Sequence, residues 1–159
     1  MTVEYCGDEE EVLHAVLEAD FDRKRLSPDF LEGKNKSVCR LKIYSRSQIL
    51  AVFRRDLDRP GRTPPIGALQ LNVGQIGRTS HAHFDKSKQE KKKPTLRVRI
   101  DVICGNAAHA EIDGKITGGL SRELTKNPRI VREPIWLRAT YAALRPLTAV
   151  TFLAEMLGP

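Results

Sequence analysis

Residues 96–102, Leu96-Arg97-Val98-Arg99-Ile100-Asp101-Val102, alternate between apolar and charged side chains. Successive side chains of an extended strand point to opposite faces, so this stretch predicts a strand with one buried and one polar face. The same alternation occurs at 38–44, where Cys39 falls on the apolar side, and at 69–73. Short alternating strands separated by tight turns are typical of an antiparallel sheet.

The remaining elements are predicted from helical spacing and from turn chemistry. Asp8 is an N-cap candidate followed by three glutamates and by apolar residues at helical spacing, which predicts a helix over 8–20 with His14 inside it. Ser45 and Gln48 form a capping-box pattern before a second helix over 46–57. Asp113-Gly114 is typical of a hairpin turn, with 115–117 as the returning strand, and 125–134 is expected to be a loop.

The predicted fold class is therefore α+β, with a mainly antiparallel sheet, an N-terminal helix, a second helix near 46–57 and C-terminal helices. The C-terminal helices fall between Ile135 and Leu157 and divide near Pro146. The 159 residues suit a single domain, 1–159, with a mobile basic loop at 86–94. Two arginines and a proline in the apolar C-terminal stretch argue against a membrane span.

Charge is distributed unevenly along the chain, whose formal net charge is +7. Residues 1–33 hold ten acidic and three basic side chains, whereas residues 34–99 hold seventeen basic and four acidic ones. A segment this basic attracts polyanions, and nucleic acid held through its phosphates is the partner we expect. The side chains expected to hold that backbone are Lys86, Lys88, Lys91, Lys92, Lys93, Arg97 and Arg99.

The cysteines and the N-terminal sequence indicate the cellular compartment. Cys6, Cys39 and Cys104 form an odd set without Cys-x-x-Cys spacing, which argues against a disulfide framework and against a cysteine-based zinc site. The N-terminal segment is acidic and shows no basic-then-apolar signal peptide. These features predict a cytoplasmic protein.

Two five-residue segments share the pattern His-Ala-(His/Glu)-apolar-Asp, at 81–85 and at 109–113. If both are strands, each places three metal-competent or proton-competent groups on one face. We therefore predict a divalent metal (zinc, manganese or magnesium) held by His81, His83 and His109, with Asp85 and Glu111 as secondary ligands or proton carriers. The alternative is that both polar faces are ordinary solvated strand surface, since the sequence does not show that the segments are adjacent.

His81-Ala82-His83 resembles the His-hydrophobe-His motif of the HUH single-strand endonucleases. That resemblance implies a divalent metal on two strand histidines and a tyrosine nucleophile on a downstream helix. Tyr141 is the residue in the corresponding place, and its alternative role is helix packing. His109-Ala110-Glu111 resembles the His-x-Glu half of the zinc nucleobase deaminases, but the Pro-Cys-x-x-Cys half is missing because no cysteine follows Cys104.

Two functions from different classes follow from the sequence. The first is a nucleic-acid-associated protein that hydrolyses phosphodiesters with a metal in a histidine cluster. The second is a non-enzymatic protein-interaction module, a homodimer joined through the C-terminal helices, in which charged surfaces engage a partner and the histidines have no catalytic role.

Overall fold

A sheet of six strands forms the centre of the computed structural model, which describes residues 2–22, 25–57, 65–86 and 95–132. The elements in chain order are β1 (Glu11–Leu17), β2 (Phe21–Asp22), β3 (Arg25–Leu26), β4 (Gly33–Arg40), α1 (Arg46–Leu57), β5 (Pro65–Asn72), α2 (Val73–Lys86), β6 (Arg97–Ile100), β7 (His109–Ile116), α3 (Gly118–Leu124) and β8 (Arg129–Arg132). A short 3-10 helix at Glu18–Asp20 precedes β2.

The strands of the sheet lie in the order β6-β7-β4-β1-β5-β8, and every neighbouring pair is antiparallel. β2 and β3 form a separate two-stranded hairpin. The predicted class, α+β with a mainly antiparallel sheet, is confirmed.

Helices cover both faces of the sheet. Val12 of β1, Val38 of β4 and Ile112 of β7 share one core cluster with the apolar side chains of α2 and α3, and we call this side the helix-pair face. Leu13 and Cys39 belong to a second cluster with the apolar side chains of α1, and we call this side the α1 face. Because side chains alternate along each strand, these clusters assign every strand residue to a face.

The predicted N-terminal helix over 8–20 is wrong, because residues 11–17 form the strand β1. β1 lies between β4 and β5, and both of its faces carry side chains of the core clusters. Val12 and Val16 point to the helix-pair face and Leu13 points to the α1 face. Apolar residues at i, i+1 and i+4 satisfy both a central strand and a helix, so periodicity alone does not distinguish the two.

The predicted strand over 80–85 is also wrong, because His81 and His83 lie in the helix α2. Asn72 caps this helix, since its Oδ1 accepts a hydrogen bond from the backbone N–H of Gln75 at 3.0 Å. Ile76 and Ser80 are fully buried beneath it. Their spacing of four residues, with Val73 three residues before Ile76, is the helical period.

Other predictions are confirmed or corrected by the backbone. Helix α1 begins and ends where predicted, and its capping box is present: Ser45 N–H donates to Gln48 Oε1 at 2.9 Å. Asp113-Gly114 is not a hairpin turn, because β7 continues through it to Ile116. Gly114 has φ +110°, a backbone conformation that glycine adopts freely. The predicted loop over 125–134 contains the edge strand β8.

Several predictions fall outside the described residues. These are the C-terminal helices between Ile135 and Leu157, Tyr141, and most of the basic loop at 86–94.

A buried ion pair joins the start of β1 to the end of β4. The guanidinium of Arg40 contacts the Glu10 carboxylate with both Nε, at 3.0 Å, and Nη2, at 3.1 Å, and both residues are more than nine-tenths buried. Glu10 Oε1 also accepts the backbone N–H of Gly7 at 3.1 Å. Removing one partner of such a pair leaves an uncompensated buried charge, which is a large cost.

We expect Arg40→Met to lower the free energy of unfolding by about 3 kcal/mol or more, measured by urea denaturation. The double variant Glu10→Gln/Arg40→Met removes both charges and should recover part of that loss. Arg122→Met is the control, because its pair with Asp29 is solvent-exposed, and it should change stability by less than about 1 kcal/mol. Equal losses for Arg40→Met and Arg122→Met would contradict this account.

His14 is held in place by a hydrogen bond and a ring contact. Its Nδ1 lies 2.6 Å from the carbonyl oxygen of Ser37, and its ring centroid lies 5.1 Å from that of Phe30. Burial lowers the pKa of His14; the bond to Ser37 and the charge of Asp20 act against that shift, and Lys36 adds to it. The folded state therefore favours the neutral imidazole.

An imidazole with a lowered pKa makes the protein less stable in acid. Below about pH 6.5 the unfolded chain binds a proton at His14 that the folded chain does not, so stability falls as the pH decreases. One proton limits the effect to about 1.4 kcal/mol per pH unit. His14→Gln keeps a hydrogen-bond donor without titrating, so its unfolding free energy should fall less between pH 7.5 and 5.5. Equal falls in the two proteins would exclude His14 as the cause.

Candidate metal centre

The strongest cluster of metal-competent side chains lies where β6 leaves the sheet and β7 enters it. One ligand atom from each of Asp101, His109 and Glu111 lies within 4.8 Å of the others. The backbone holds the two ends together, because Asp101 N–H donates to the carbonyl oxygen of His109 at 3.2 Å. His109 and Glu111 are two residues apart on β7, so their side chains emerge on the same face.

The hydrogen bonds of His109 fix its tautomer. Nδ1 lies 2.6 Å from the backbone carbonyl oxygen of Asp101 and 3.4 Å from that residue's Oδ2. A carbonyl oxygen only accepts, so Nδ1 must carry a hydrogen and donate it. In the neutral ring this leaves the lone pair on Nε2. A histidine whose second nitrogen donates to a carbonyl is the usual arrangement of a metal ligand in proteins.

Arg99 of β6 contacts the same cluster. It is paired with Glu111 in the β6–β7 register, and its Nη2 donates to Glu111 Oε2 at 2.8 Å. This hydrogen bond raises the pKa of the Arg99 guanidinium, which keeps it cationic. Arg99 Nε is buried and has no hydrogen-bond partner among the described residues. A buried donor without a partner is rare and often marks a functional site.

The structure does not bring the three predicted metal histidines together. His109 is paired in register with Cys39, whose side chain packs against α1, so its imidazole lies on the α1 face. His81 and His83 lie on α2, which packs against the opposite, helix-pair face. The sheet therefore separates α2 from His109 and Glu111.

The two histidines of α2 have other surroundings. His83 Nδ1 lies 3.2 Å from Glu123 Oε1 and its Nε2 lies 3.4 Å from Thr117 Oγ1, so it bridges α2 to α3. His81 lies two residues away on the same helix. Residues two apart on a helix do not face one direction, so the strand geometry implied by the HUH resemblance is absent.

The remaining predicted site residues are scattered. Arg97 and Arg99 lie on β6, and the Arg97 guanidinium carbon stands 5.3 Å from the ring centroid of Tyr5. Asp85 and Lys86 belong to the last turn of α2. Lys88, Lys91, Lys92 and Lys93 lie outside the described residues.

Sequence reasoning missed Asp101 as a site residue, although the signal was present. The polar side of the β6 stretch reads Arg97, Arg99, Asp101, and the polar side of β7 begins with His109 and Glu111. Pairing the two strands as neighbours places both polar rows side by side. The sequence alone does not show that Arg99 pairs with Glu111, and this pairing is what places Asp101 beside His109.

Cys39 lies beside His109 but is not prepared as a nucleophile. Its Sγ accepts a hydrogen bond from Asn106 Nδ2 at 3.3 Å, and burial raises the pKa of the thiol. A raised pKa keeps the thiol protonated, whereas a nucleophilic cysteine needs the thiolate. Cys39 is a core residue, as its place on the apolar side of its strand predicted.

Comparison of the chain with protein-family models, with curated proteins and with solved structures finds no match. Among the described helices, none has the length and apolar character needed to cross a membrane.

The geometry predicts which ring nitrogen of His109 is protonated. Long-range ¹H–¹⁵N correlation spectra at pH 8.5, where imidazoles are generally neutral, should show the hydrogen on Nδ1 of His109. The variant His109→Gln identifies the signal by its loss. A hydrogen on Nε2 would show that the bond to the Asp101 carbonyl does not form in solution.

Proposed function

We propose that the chain is a divalent-metal-dependent phosphodiesterase acting on nucleic acid, with Asp101, His109 and Glu111 as the metal ligands. The observation that carries the proposal is the convergence of these three ligand atoms within 4.8 Å. Two carboxylates and one imidazole suit manganese or zinc, and three protein ligands leave coordination positions for water and substrate.

The hydrogen bonds around the cluster support this assignment. The bond from His109 Nδ1 to the Asp101 carbonyl orients the ring and leaves its second nitrogen, Nε2, with a free lone pair. The bond from Arg99 engages Oε2 of Glu111, so that Oε1 of the same carboxylate is available to coordinate. His109 and Glu111 are thus both held in place before any ion binds.

The chemistry follows from the charges at the site. A divalent ion held by Asp101, His109 and Glu111 would supply a bound water of lowered pKa and would polarise a phosphoryl oxygen. Water attack at phosphorus then breaks one P–O ester bond and gives a phosphomonoester and an alcohol. Arg99, a permanent cation beside Glu111, is placed to hold a non-bridging phosphate oxygen. The excess of basic residues between 34 and 99 supports a polyanionic substrate.

Two parts of the proposal rest on sequence. The odd set of three cysteines without Cys-x-x-Cys spacing supports a reducing compartment and the cytoplasm. A homodimer through residues 135–157 stays a prediction, because those residues lie outside the described part of the chain.

Metal titration with matched variants tests the site. We expect isothermal titration with Mn²⁺ or Zn²⁺ to show about one ion per chain, and Glu111→Gln or His109→Ala to weaken binding at least about tenfold. His83→Ala is the control, because that histidine lies on the other side of the sheet, and it should bind metal as the wild type does. Circular dichroism verifies that each variant is folded. Metal binding that persists in both site variants would refute the ligand assignment.

Hydrolysis is measured separately from metal binding. Single-stranded and double-stranded DNA and RNA are incubated with the metal-loaded protein, with and without a chelator. The proposal expects cleavage that the chelator abolishes and that Glu111→Gln reduces in parallel with metal loss. Stoichiometric metal binding without cleavage of any of these substrates would refute the phosphodiesterase and favour the interaction module.

A further inference from the structure

Three polar side chains at the contact between α2 and α3 form a chain of hydrogen bonds. His83 Nδ1 lies 3.2 Å from Glu123 Oε1, and His83 Nε2 lies 3.4 Å from Thr117 Oγ1. His83 belongs to α2, Glu123 belongs to the last turn of α3, and Thr117 is the N-cap residue of α3. The order hydroxyl, imidazole, carboxylate is that of the nucleophile, the general base and the orienting acid in hydrolases with a hydroxyl nucleophile.

The hydrogen bonds of this chain agree on the position of each hydrogen. An ionised carboxylate only accepts, so His83 Nδ1 carries a hydrogen and donates it to Glu123. The neutral ring then has its lone pair on Nε2, which faces the hydroxyl of Thr117. Thr117 Oγ1 accepts the backbone N–H of Leu120 at 3.3 Å, which leaves its own hydrogen for Nε2. His83 therefore has the tautomer that a general base needs.

A glycine makes room for the imidazole against α3. A Cβ on Gly119 would stand 2.9 Å from His83 Cε1, which is closer than real Cβ atoms approach. Phe84 also contacts the imidazole, with ring centroids 5.7 Å apart and planes at 72°. The reacting groups remain accessible, because the His83 side chain is 21% exposed and Thr117 is half-buried.

Carboxylates surround the hydroxyl and determine which substrates suit it. A Cβ on Gly118, the residue after the threonine, would lie 3.1 Å from Asp29 Oδ1 and 3.2 Å from Glu32 Oε2. Glu123 adds a third carboxylate, and Arg122 compensates Asp29 at 3.5 Å. This excess of negative charge repels anions. The surroundings therefore favour a substrate without negative charge.

We propose that Thr117, His83 and Glu123 form a second catalytic site, which hydrolyses small uncharged carboxylic esters. His83 Nε2 takes the hydroxyl proton of Thr117 while Oγ1 attacks the ester carbonyl. The C–O bond to the alcohol then breaks, the alcohol leaves with that proton, and the acyl group stays on Oγ1. Water attacks the acyl group while His83 takes its proton, and this step releases the carboxylic acid and restores the Thr117 hydroxyl. Glu123 is a positioning residue that orients the ring.

The proposal is independent of the candidate metal centre. The sheet separates α2 from His109 and Glu111, and none of the steps at Thr117 requires a metal ion. Hydrolysis of an ester at this site should therefore be insensitive to a chelator.

Hydrolysis of p-nitrophenyl acetate tests the site. We expect an acetyl group on Thr117 by mass spectrometry after an acid quench, and a rate lowered about a hundredfold in His83→Gln and in Thr117→Asn. Asparagine caps a helix but has no hydroxyl, so Thr117→Asn separates catalysis from capping, whereas Thr117→Ser keeps both and should retain activity. The control is His81→Gln, an exposed histidine of the same helix, and it should leave the rate unchanged.

Two further measurements separate catalysis from a structural role. Glu123→Gln should lower kcat and leave KM unchanged, because Glu123 orients the base and does not touch the ester. The anionic mono-p-nitrophenyl ester of succinate should be hydrolysed more slowly than the acetate. Circular dichroism verifies that each variant is folded. The proposal would be overturned by a wild-type rate no higher than that of His83→Gln or Thr117→Asn, by hydrolysis that a chelator abolishes, or by equally fast hydrolysis of the succinate ester.

Discussion

The centre of the sheet is covered by helices on both sides, and this constraint decides on which face each strand side chain lies. Along β7, Ala110, Ile112 and Ile116 are fully buried on the helix-pair face, and no one-residue shift of register could exchange them with their polar neighbours. His109 and Glu111 must then emerge on the α1 face. The clustering of Asp101, His109 and Glu111 is a consequence of that alternation combined with the pairing of β6 with β7.

The best-predicted elements are those whose sequence signal is local. Helix α1 has a capping box and apolar residues at helical spacing, and both were visible in the sequence. Strands β6 and β7 each have one polar and one apolar side, because they lie toward an edge of the sheet. Apolar and polar residues therefore alternate in the sequences of these two strands. Sequence-based interpretation succeeds where one face of an element meets water.

The central strand shows the opposite case. β1 is apolar on both sides because helices cover both of its faces, so its residues do not alternate. The acidic residues before it resembled the first turn of a helix, but Glu10 is the buried partner of Arg40. Nothing in the local sequence indicates that partner, which is thirty positions away. Long-range pairing is the information that a single sequence lacks.

The histidines show the same difference between what local sequence indicates and what it does not. The prediction that His109 and Glu111 share one face of a strand is confirmed, since they are two residues apart on β7. That prediction needs only the local sequence. His81 and His83 have the same spacing, but the Asn72 cap and the buried Ile76 and Ser80 make their segment helical. The repeated five-residue pattern thus has two different backbone conformations. A short motif is informative only together with the element that carries it.

Residues 4–6, which precede the segment predicted as a helix, have a role at the edge of the sheet. Cys6 N–H donates to Val98 O at 2.8 Å, and Ile100 N–H donates to Glu4 O at 2.9 Å, so residues 4–6 pair with β6 and cover its free edge. An unpaired edge strand invites association with other chains, and this short segment prevents that along β6. The same segment brings Tyr5 opposite Arg99. Because Arg99 of β6 contacts Glu111 of the candidate metal centre, the N-terminal segment that holds the edge of β6 also supports the strand beside that site.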